Sequence, residues 1–408
     1  MNGPRIVLIT RSFWPLVDDG SLRLLNWLDD LRQVEFCPQV VTPQWHYQWP
    51  ARCYCRETLV TRLGPPPKHS KGFKTYLKSV IDWLRSYRNS YDAILFDNAG
   101  DEALAVAQSR EFTDKPRIVR FESRRDEIGG TASESAAIEA ARRAQLVLAS
   151  DAPALRKLIS AGVDASLIGR LPPSTGLRVS RNQVDRNGAR KVLSDACGDL
   201  YVPQNGRVIL VPTAMRDREG LETLLRASDP LLERDSSLRI WIIGDGPERG
   251  IVYDRLRDME GYRQVAMPGQ FDAQEELFQV ADVCVITTVG DGLGYYAPTS
   301  WANGIPCIMP DSAESRAAIA TRSDCSLYSV SNASQLRAML DEALELTRSE
   351  SRRLIASSSS DGGNGMMSAQ DLRTWVQAAS LKNQPSKNST DEFPETPAAK
   401  PSSRWNPF

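Results

Sequence analysis

The chain has 408 residues, more than a single hydrophobic core normally organises, so two domains are expected. With 41% hydrophobic and 25% charged residues, its composition is that of an ordinary soluble protein. A formal net charge of -1 excludes a general nucleic-acid binder, whose phosphate contacts demand a basic excess.

In chain order, Ile6–Thr10 reads as a buried strand, short, β-branched and flanked by turn formers. Its apolar run ends at Arg11, too soon for a signal-peptide core. Ser21–Leu31 follows as a helix, with Leu22, Leu25, Leu28 and Leu31 at helical spacing. Val40–Thr42 reads as a strand, and Phe73–Arg88 as an amphipathic helix. Strands are then predicted at Ala93–Phe96, Arg117–Arg120 and Leu146–Ala149. Around Leu171–Asn205 the alternation breaks at Pro172, Pro173, Gly176, Pro203 and Gly206. It resumes with strands at Val208–Val211, Leu238–Ile243, Val283–Thr287 and Pro306–Met309, separated by helical segments. Strand–helix alternation of this kind implies parallel sheets covered by helices on both faces. The expected division is 1–175, a linker region 176–205, a second domain 206–380, and a disordered Pro/Ser/Lys-rich tail 381–408.

The seven cysteines are dispersed, and Cys53 and Cys55 lie too close for a usual disulfide, which fits a reducing compartment. Only His46 and His69 are present and no acidic metal motif is seen, so no metal site is expected. No stretch approaches the roughly 20 apolar residues of a membrane helix, and the plain reading is a cytoplasmic protein.

Three segments of the second half carry chemistry. In Leu238–Gly250 a strand runs into the turn Gly244-Asp245-Gly246-Pro247, and Glu248 opens a helix. In Val265–Thr287 a strand ends at Gly269-Gln270, and Ala281-Asp282 leads into another. In Asp291–Pro306, Gly292, Leu293 and Gly294 stand between a strand and a helix, where free backbone N–H groups suit a diphosphate. Each alone is also an ordinary strand-to-helix turn.

In order and spacing these segments resemble the family 4 glycosyltransferases, whose fold, called GT-B, sets two Rossmann-like doubly wound parallel-sheet domains across a cleft. The resemblance runs through Gly244–Arg249, Gly269 with Ala281-Asp282, Asp291–Gly294 and Ala302–Pro306, and covers about Val208–Ile319. In the first half only the strand Ile6–Thr10, Phe13-Trp14-Pro15, and Gly20 with Arg23 follow the family outline. The resemblance implies a retaining transfer of a sugar from a nucleotide-diphosphate sugar, with no other cofactor, to a glycan or lipid acceptor. Asp291 would contact the donor sugar, Gly244, Gly292 and Gly294 would line the donor site, Thr299 would face the ribose, and Gln270 the base. The family's phosphate-binding Lys and Arg fall on Glu219 and Ala214, so Arg216 and Arg218 are the candidate replacements. On the acceptor side, Gly20 lies near the cleft and Glu122 occupies the region of the family's basic residue, as a candidate base. These departures keep a second reading open: a GT-B-fold binding or scaffold protein without turnover. An epimerase of the same architecture is a third, disfavoured by motif order.

Between Arg52 and Arg88 basic residues outnumber acidic ones. With Phe73, Tyr76 and Trp83, the stretch 68–88 reads either as a core-facing Rossmann helix with solvated lysines or as a peripheral contact with the inner face of an anionic membrane.

Overall fold

The structure, a computed structural model, describes residues 3–67, 70–122, 134–171, 176–289, 292–319, 325–348 and 367–382. The first sheet contains β1 (Arg5–Ile9), β2 (Cys37–Pro43), β3 (Arg52–Cys55), β4 (Thr58–Leu63), β5 (Ala93–Phe96), β6 (Arg117–Phe121), β7 (Leu146–Ala149) and β8 (Ile168–Arg170). Their order in space is β3-β4-β2-β1-β5-β6-β7-β8, all parallel except the β3–β4 hairpin. Between them lie α1 (Asp19–Gln33), α2 (Ser70–Ser86), α3 (Asp101–Gln108), α4 (Glu134–Arg142) and α5 (Ala152–Ser160). Strands such as Ala93–Phe96 are buried throughout, as continuous apolar runs must be when helices cover both faces of a parallel sheet.

The second sheet follows α6 (Gln183–Ala196). It comprises β9 (Val208–Pro212), β10 (Arg239–Ile243), β11 (Val265–Gly269), β12 (Val283–Val285), β13 (Cys307–Pro310) and β14 (Cys325–Tyr328), in the order β11-β10-β9-β12-β13-β14. Its helices are α7 (Arg218–Arg234), α8 (Arg249–Arg257), α9 (Gln274–Val280), α10 (Tyr296–Ala302), α11 (Ala313–Ile319) and α12 (Ala333–Arg348). The last helix is α13 (Ala369–Lys382).

Two boundaries differ from the sequence reading. The stretch read as a linker holds α6, which packs on α9. The buried Arg186 donates to Asp282 at 2.6 Å, and the same carboxylate oxygen accepts the Val208 N–H at 2.9 Å. Arg181 donates to the carbonyls of Phe278 and Ala281. Mixed polarity hid this helix, because its buried side includes a charged residue matched only by a partner almost a hundred residues away. The helix α13, assigned by sequence to the second domain, instead contacts α1 of the first. Arg373 pairs with Glu35 at 2.6 Å, and the Met367 N–H reaches the Arg170 carbonyl of β8 at 2.7 Å. Of the predicted tail, residues 383–408 lie outside the described residues.

The basic stretch that begins at Arg52 opens with the hairpin β3–β4. In place, Thr58, Val60, Thr61 and Arg62 are buried. The Arg62 guanidinium lies against the Trp14 and Trp49 rings and donates to the Trp14 and Pro50 carbonyls.

Each sheet reverses strand order once, at β1/β5 and at β9/β12. Loops leaving the carboxyl ends of strands at such switch points form the ligand crevice of open α/β sheets.

Asp282→Ala leaves the Arg186 guanidinium buried without its counter-charge and should lower unfolding free energy by about 3–5 kcal/mol in urea melts. Asp282→Asn, which keeps an acceptor, should lose less; equal losses would show that the charge contributes nothing.

Candidate functional site

Building the site begins with how α1 starts. Asp18 is its N-cap, with the carboxylate accepting the Ser21 N–H at 2.8 Å and the Ser12 hydroxyl at 2.8 Å. With capping done by Asp18, the next carboxylate is free to reach out. Asp19 crosses to the loop before α10 and accepts three backbone N–H groups, from Gly294 at 2.8 Å, Tyr295 at 2.8 Å and Tyr296 at 3.2 Å. Burial raises the Asp19 pKa, against the opposing pull of Arg23 and the three amides.

Two glycines make this approach possible, each for its own reason. Gly292 sits at φ +72°, and a Cβ there would lie 2.3 Å from the Ile286 side chain. At Gly294 a Cβ would lie 2.7 Å from the Asp19 carboxylate oxygen.

Behind Asp19 a charged network lines the first-domain wall. Arg23 and Arg120 both donate to Glu122. Arg120 also donates to Asp97 at 2.8 Å, and the Thr10 hydroxyl donates to the other Asp97 oxygen at 2.9 Å. Burial works against charge on both partners, yet Arg120 and Arg23 lower the Glu122 pKa to about 2. Burial likewise opposes the Arg23 charge, but Glu122, Asp97 and Asp19 together raise its pKa. Alongside, Arg11 forms a buried pair with Glu102 at 2.6 Å beneath Trp45, whose indole N–H bonds the Arg11 carbonyl.

The structure brings only some predicted residues to this place. Gly292, Leu293 and Gly294 lie at the crevice loop, with Leu293 partly buried against the core. Asp291 lies outside the described residues. Gly20 is in the first turn of α1, next to Asp19. Arg216 is exposed on the loop after β9, and Gln270 is exposed at the end of β11. Arg218 opens α7 and pairs along the helix with Glu222 at 2.7 Å, a surface ion pair rather than a cation aimed at a ligand.

Three expectations are corrected. Thr299 is fully buried and its hydroxyl accepts the Leu177 N–H at 3.0 Å, so it anchors the interdomain segment instead of facing a ribose. The N–H of Gly244 bonds the Gly269 carbonyl at 2.8 Å. A Cβ on Gly244 would sit 1.8 Å from the Thr213 carbonyl, so this glycine lets two loops close on each other rather than holding a donor. Glu122, clamped between two guanidiniums, is a poor proton acceptor at neutral pH. The sequence reading passed over Asp19, Asp97 and Arg120. The Asp18-Asp19-Gly20 run carried the one usable signal, since a helix start needs a single capping carboxylate and leaves the second to explain.

The helix α2 turns Tyr76, Val80, Trp83 and Leu84 into the core and leaves Lys71, Lys74 and Lys78 exposed, while Lys68 lies outside the described residues. Of the three aromatic residues, Tyr76 and Trp83 are thus consumed by packing, while Phe73 is half-buried with the Arg11 guanidinium 4.8 Å from its ring centre. Among the described residues no helix is long and apolar enough to cross a membrane, and no cluster of three metal-ligating side chains occurs.

Comparison with known proteins adds a family match within the second domain and the fold of the chain. Residues 206–346 match the family described as glycosyl transferases group 1. The lipopolysaccharide core biosynthesis glycosyltransferase LpsE of Rhizobium meliloti (strain 1021) is 26% identical over 121 residues, which are 30% of this chain and 34% of LpsE. The match thus spans about a third of that relative's length. Sucrose-phosphate synthase from Thermosynechococcus elongatus superimposes with a TM-score of 0.64 at 15% identity, over 93% of this chain and 97% of its own. HepE of Anabaena, solved with UDP and glucose, gives 0.62 at 15% identity over 92% and 97%. At such identities the likeness shows the fold, which is GT-B.

Two measurements follow from the wall of charge. Asp19→Ala strips three charge-assisted bonds from the crevice and should lower unfolding free energy by about 2–3 kcal/mol with unchanged far-ultraviolet circular dichroism. No change would mean that water satisfies the three amides equally well. For Glu122, a folded pKa of about 2 against an ordinary 4.5 stabilises the fold by about 3 kcal/mol above pH 4.5, and this is lost as pH falls toward 2. The stability difference between wild type and Glu122→Gln should therefore be flat from pH 7 to about 5 and shrink below about 4. A difference that grows on acidification would refute the assignment.

Proposed function

We propose that this chain, whose second domain matches the group 1 glycosyl transferases within a GT-B frame, transfers a sugar from a nucleotide-diphosphate donor to a glycan or lipid acceptor, with retention at the anomeric carbon. The observation that carries this reading is that the family match, 206–346, includes the crevice loop whose amides at Gly294, Tyr295 and Tyr296 already hold an anionic group. A donor diphosphate would take these amides from Asp19, and the exposed Arg216 would approach the departing nucleotide. Asp291 would contact the donor sugar. HepE, a fold neighbour, was solved with UDP-glucose, which makes uridine nucleotides the first probes. LpsE, named for lipopolysaccharide core biosynthesis, supports a glycan acceptor. A lipid-linked acceptor would bring the chain to the inner face of an anionic membrane, toward which Lys71, Lys74 and Lys78 are the available contacts.

Specific observations favour a second reading, a GT-B-fold nucleotide-binding or scaffold protein. The family's Arg and Lys positions hold Ala214 and Glu219, Glu122 is tied up, and Asp19 sits where negative charge is wanted from the ligand. Each missing charged contact removes about 2–4 kcal/mol of transition-state stabilisation.

The test is the melting temperature with UDP, ADP, GDP and UDP-glucose. A ligand at 100 times its Kd adds about 2.7 kcal/mol, a rise of a few degrees. The proposal expects one nucleotide to raise it, Asp291→Ala and Arg216→Ala to remove the rise, and released nucleoside diphosphate to accumulate with acceptor. If no nucleotide shifts the folded protein, the transferase reading fails and the scaffold reading stands.

A further inference from the structure

The connection from β2 to β3 reads Gln44-Trp45-His46-Tyr47-Gln48-Trp49-Pro50, with four ring side chains in five residues. These rings are not surplus core. Tyr47 is 85% exposed, His46 is exposed, and Trp45 and Trp49 are partly buried. The His46 ring stacks on Tyr47 with centroids 5.1 Å apart and planes at 21°, and meets Trp49 at 6.1 Å. Single exposed aromatics are ordinary, but a contiguous stacked row kept in water needs a reason.

The backbone under the row is held in place. The Gln44 side-chain amide donates to the carbonyls of His46 at 2.7 Å and Trp49 at 2.6 Å. The Trp45 indole N–H donates to the Arg11 carbonyl at 2.7 Å. The Arg62 guanidinium lies 5.6 Å from the Trp49 ring centre and donates to the Pro50 carbonyl at 2.7 Å. The surface is therefore preformed, and binding it would order little.

From these contacts we infer that residues 44–50 are a subsite for a pyranose ring of a glycan, an inference that rests on the acceptor reading above. A pyranose presents an apolar C–H face and a rim of hydroxyls. Stacked rings take the face, while the Tyr47 hydroxyl and the Gln48 amide, 3.4 Å apart at the edge, take the rim. The place is right: parallel β1 and β2 end on one side of the sheet, and the Trp45 bond to the Arg11 carbonyl ties the loop to the segment that leads into Asp19. Charge separates a sugar from a lipid surface. Residues 44–51 contain no Lys, Arg, Asp or Glu, so attraction to anionic headgroups has nothing to act on there.

The experiment titrates full-length protein, without nucleotide, with maltohexaose, cellohexaose and chitohexaose, following tryptophan fluorescence. At least one should bind wild type, and Tyr47→Ala and His46→Ala should each weaken it by about tenfold at unchanged melting temperature. Tyr47→Phe, which keeps the ring, should retain most of the binding. Three outcomes overturn the subsite: none of the three sugars binds wild type, Tyr47→Ala binds as well as wild type, or the row instead drives Tyr47-dependent sedimentation with phosphatidylglycerol vesicles. Because no nucleotide is present, the two readings fail separately. A silent nucleotide melt with intact sugar binding removes the donor and keeps the subsite; the reverse removes the subsite and keeps the donor.

Discussion

One carboxylate crossing the crevice organises the rest of this molecule. Asp19 belongs to the first domain, and the three amides it accepts from belong to the second. For it to reach them, Asp18 must cap α1 alone, Gly294 must lack a side chain, and Gly292 must turn the loop at positive φ. A negative charge that burial disfavours needs neighbours of opposite sign, and Arg23, one helical turn further along α1, supplies one. Arg23 in turn is balanced by Glu122 and Asp97, which Arg120 completes. The wall of charge is thus one connected consequence of placing a carboxylate at the crevice, and its members couple rather than add.

The same helix that meets Asp19 is clasped along its flank by the interdomain segment. Leu177 N–H bonds Thr299, Val179 N–H bonds the Asn303 side chain, and Asn303 returns a bond to the Leu177 carbonyl. A Cβ at Gly176 would lie 2.4 Å from the Pro298 carbonyl, so only glycine at φ +69° lets the chain come this close. Meanwhile α13 brings the chain back to α1 and β8. Among the described residues, the interdomain segment, the return of the chain through α13 and the Asp19 carboxylate all tie the two domains together. Asp19 is partly exposed, and its partners are amides that another acceptor can use.

Alternation in the sequence located the central parallel strands, because strands like Val208–Pro212 and Ala93–Phe96 are buried throughout and read as unbroken apolar runs, whereas the peripheral strands β3, β4, β8 and β14, short or partly exposed, were not legible. It failed where burial is shared with charge. Arg62 in β4 and Arg186 in α6 are buried, and each is satisfied by partners the sequence does not place beside it. The glycine loop before α10 was legible from its turn chemistry, but what faces it was not. Motif matching assigned roles to Thr299 and Gly244 by position, while their environments gave them structural work: the Leu177 amide for one, the Thr213 carbonyl for the other. Position in a motif reports backbone shape well and side-chain employment poorly, since the latter depends on what the opposite wall presents.

This bears on how any anion could enter. A phosphate replacing Asp19 keeps the three amide bonds, so the exchange gains little from hydrogen bonding itself. It also frees Asp19, whose charge must then be met by Arg23 and water or carried away by movement of α1. The first-domain wall as described holds three carboxylates, Asp19, Asp97 and Glu122, against two guanidiniums, Arg23 and Arg120. An incoming diphosphate adds negative charge to a surface already short of positive charge, which costs affinity unless cations arrive with it. With Ala214 and Glu219 where the family resemblance implies Arg and Lys, and Arg218 paired with Glu222, the exposed Arg216 on the loop after β9 is the remaining candidate cation of that loop. If the proposed donor binds in this crevice, its binding strength would come chiefly from contacts to base and sugar.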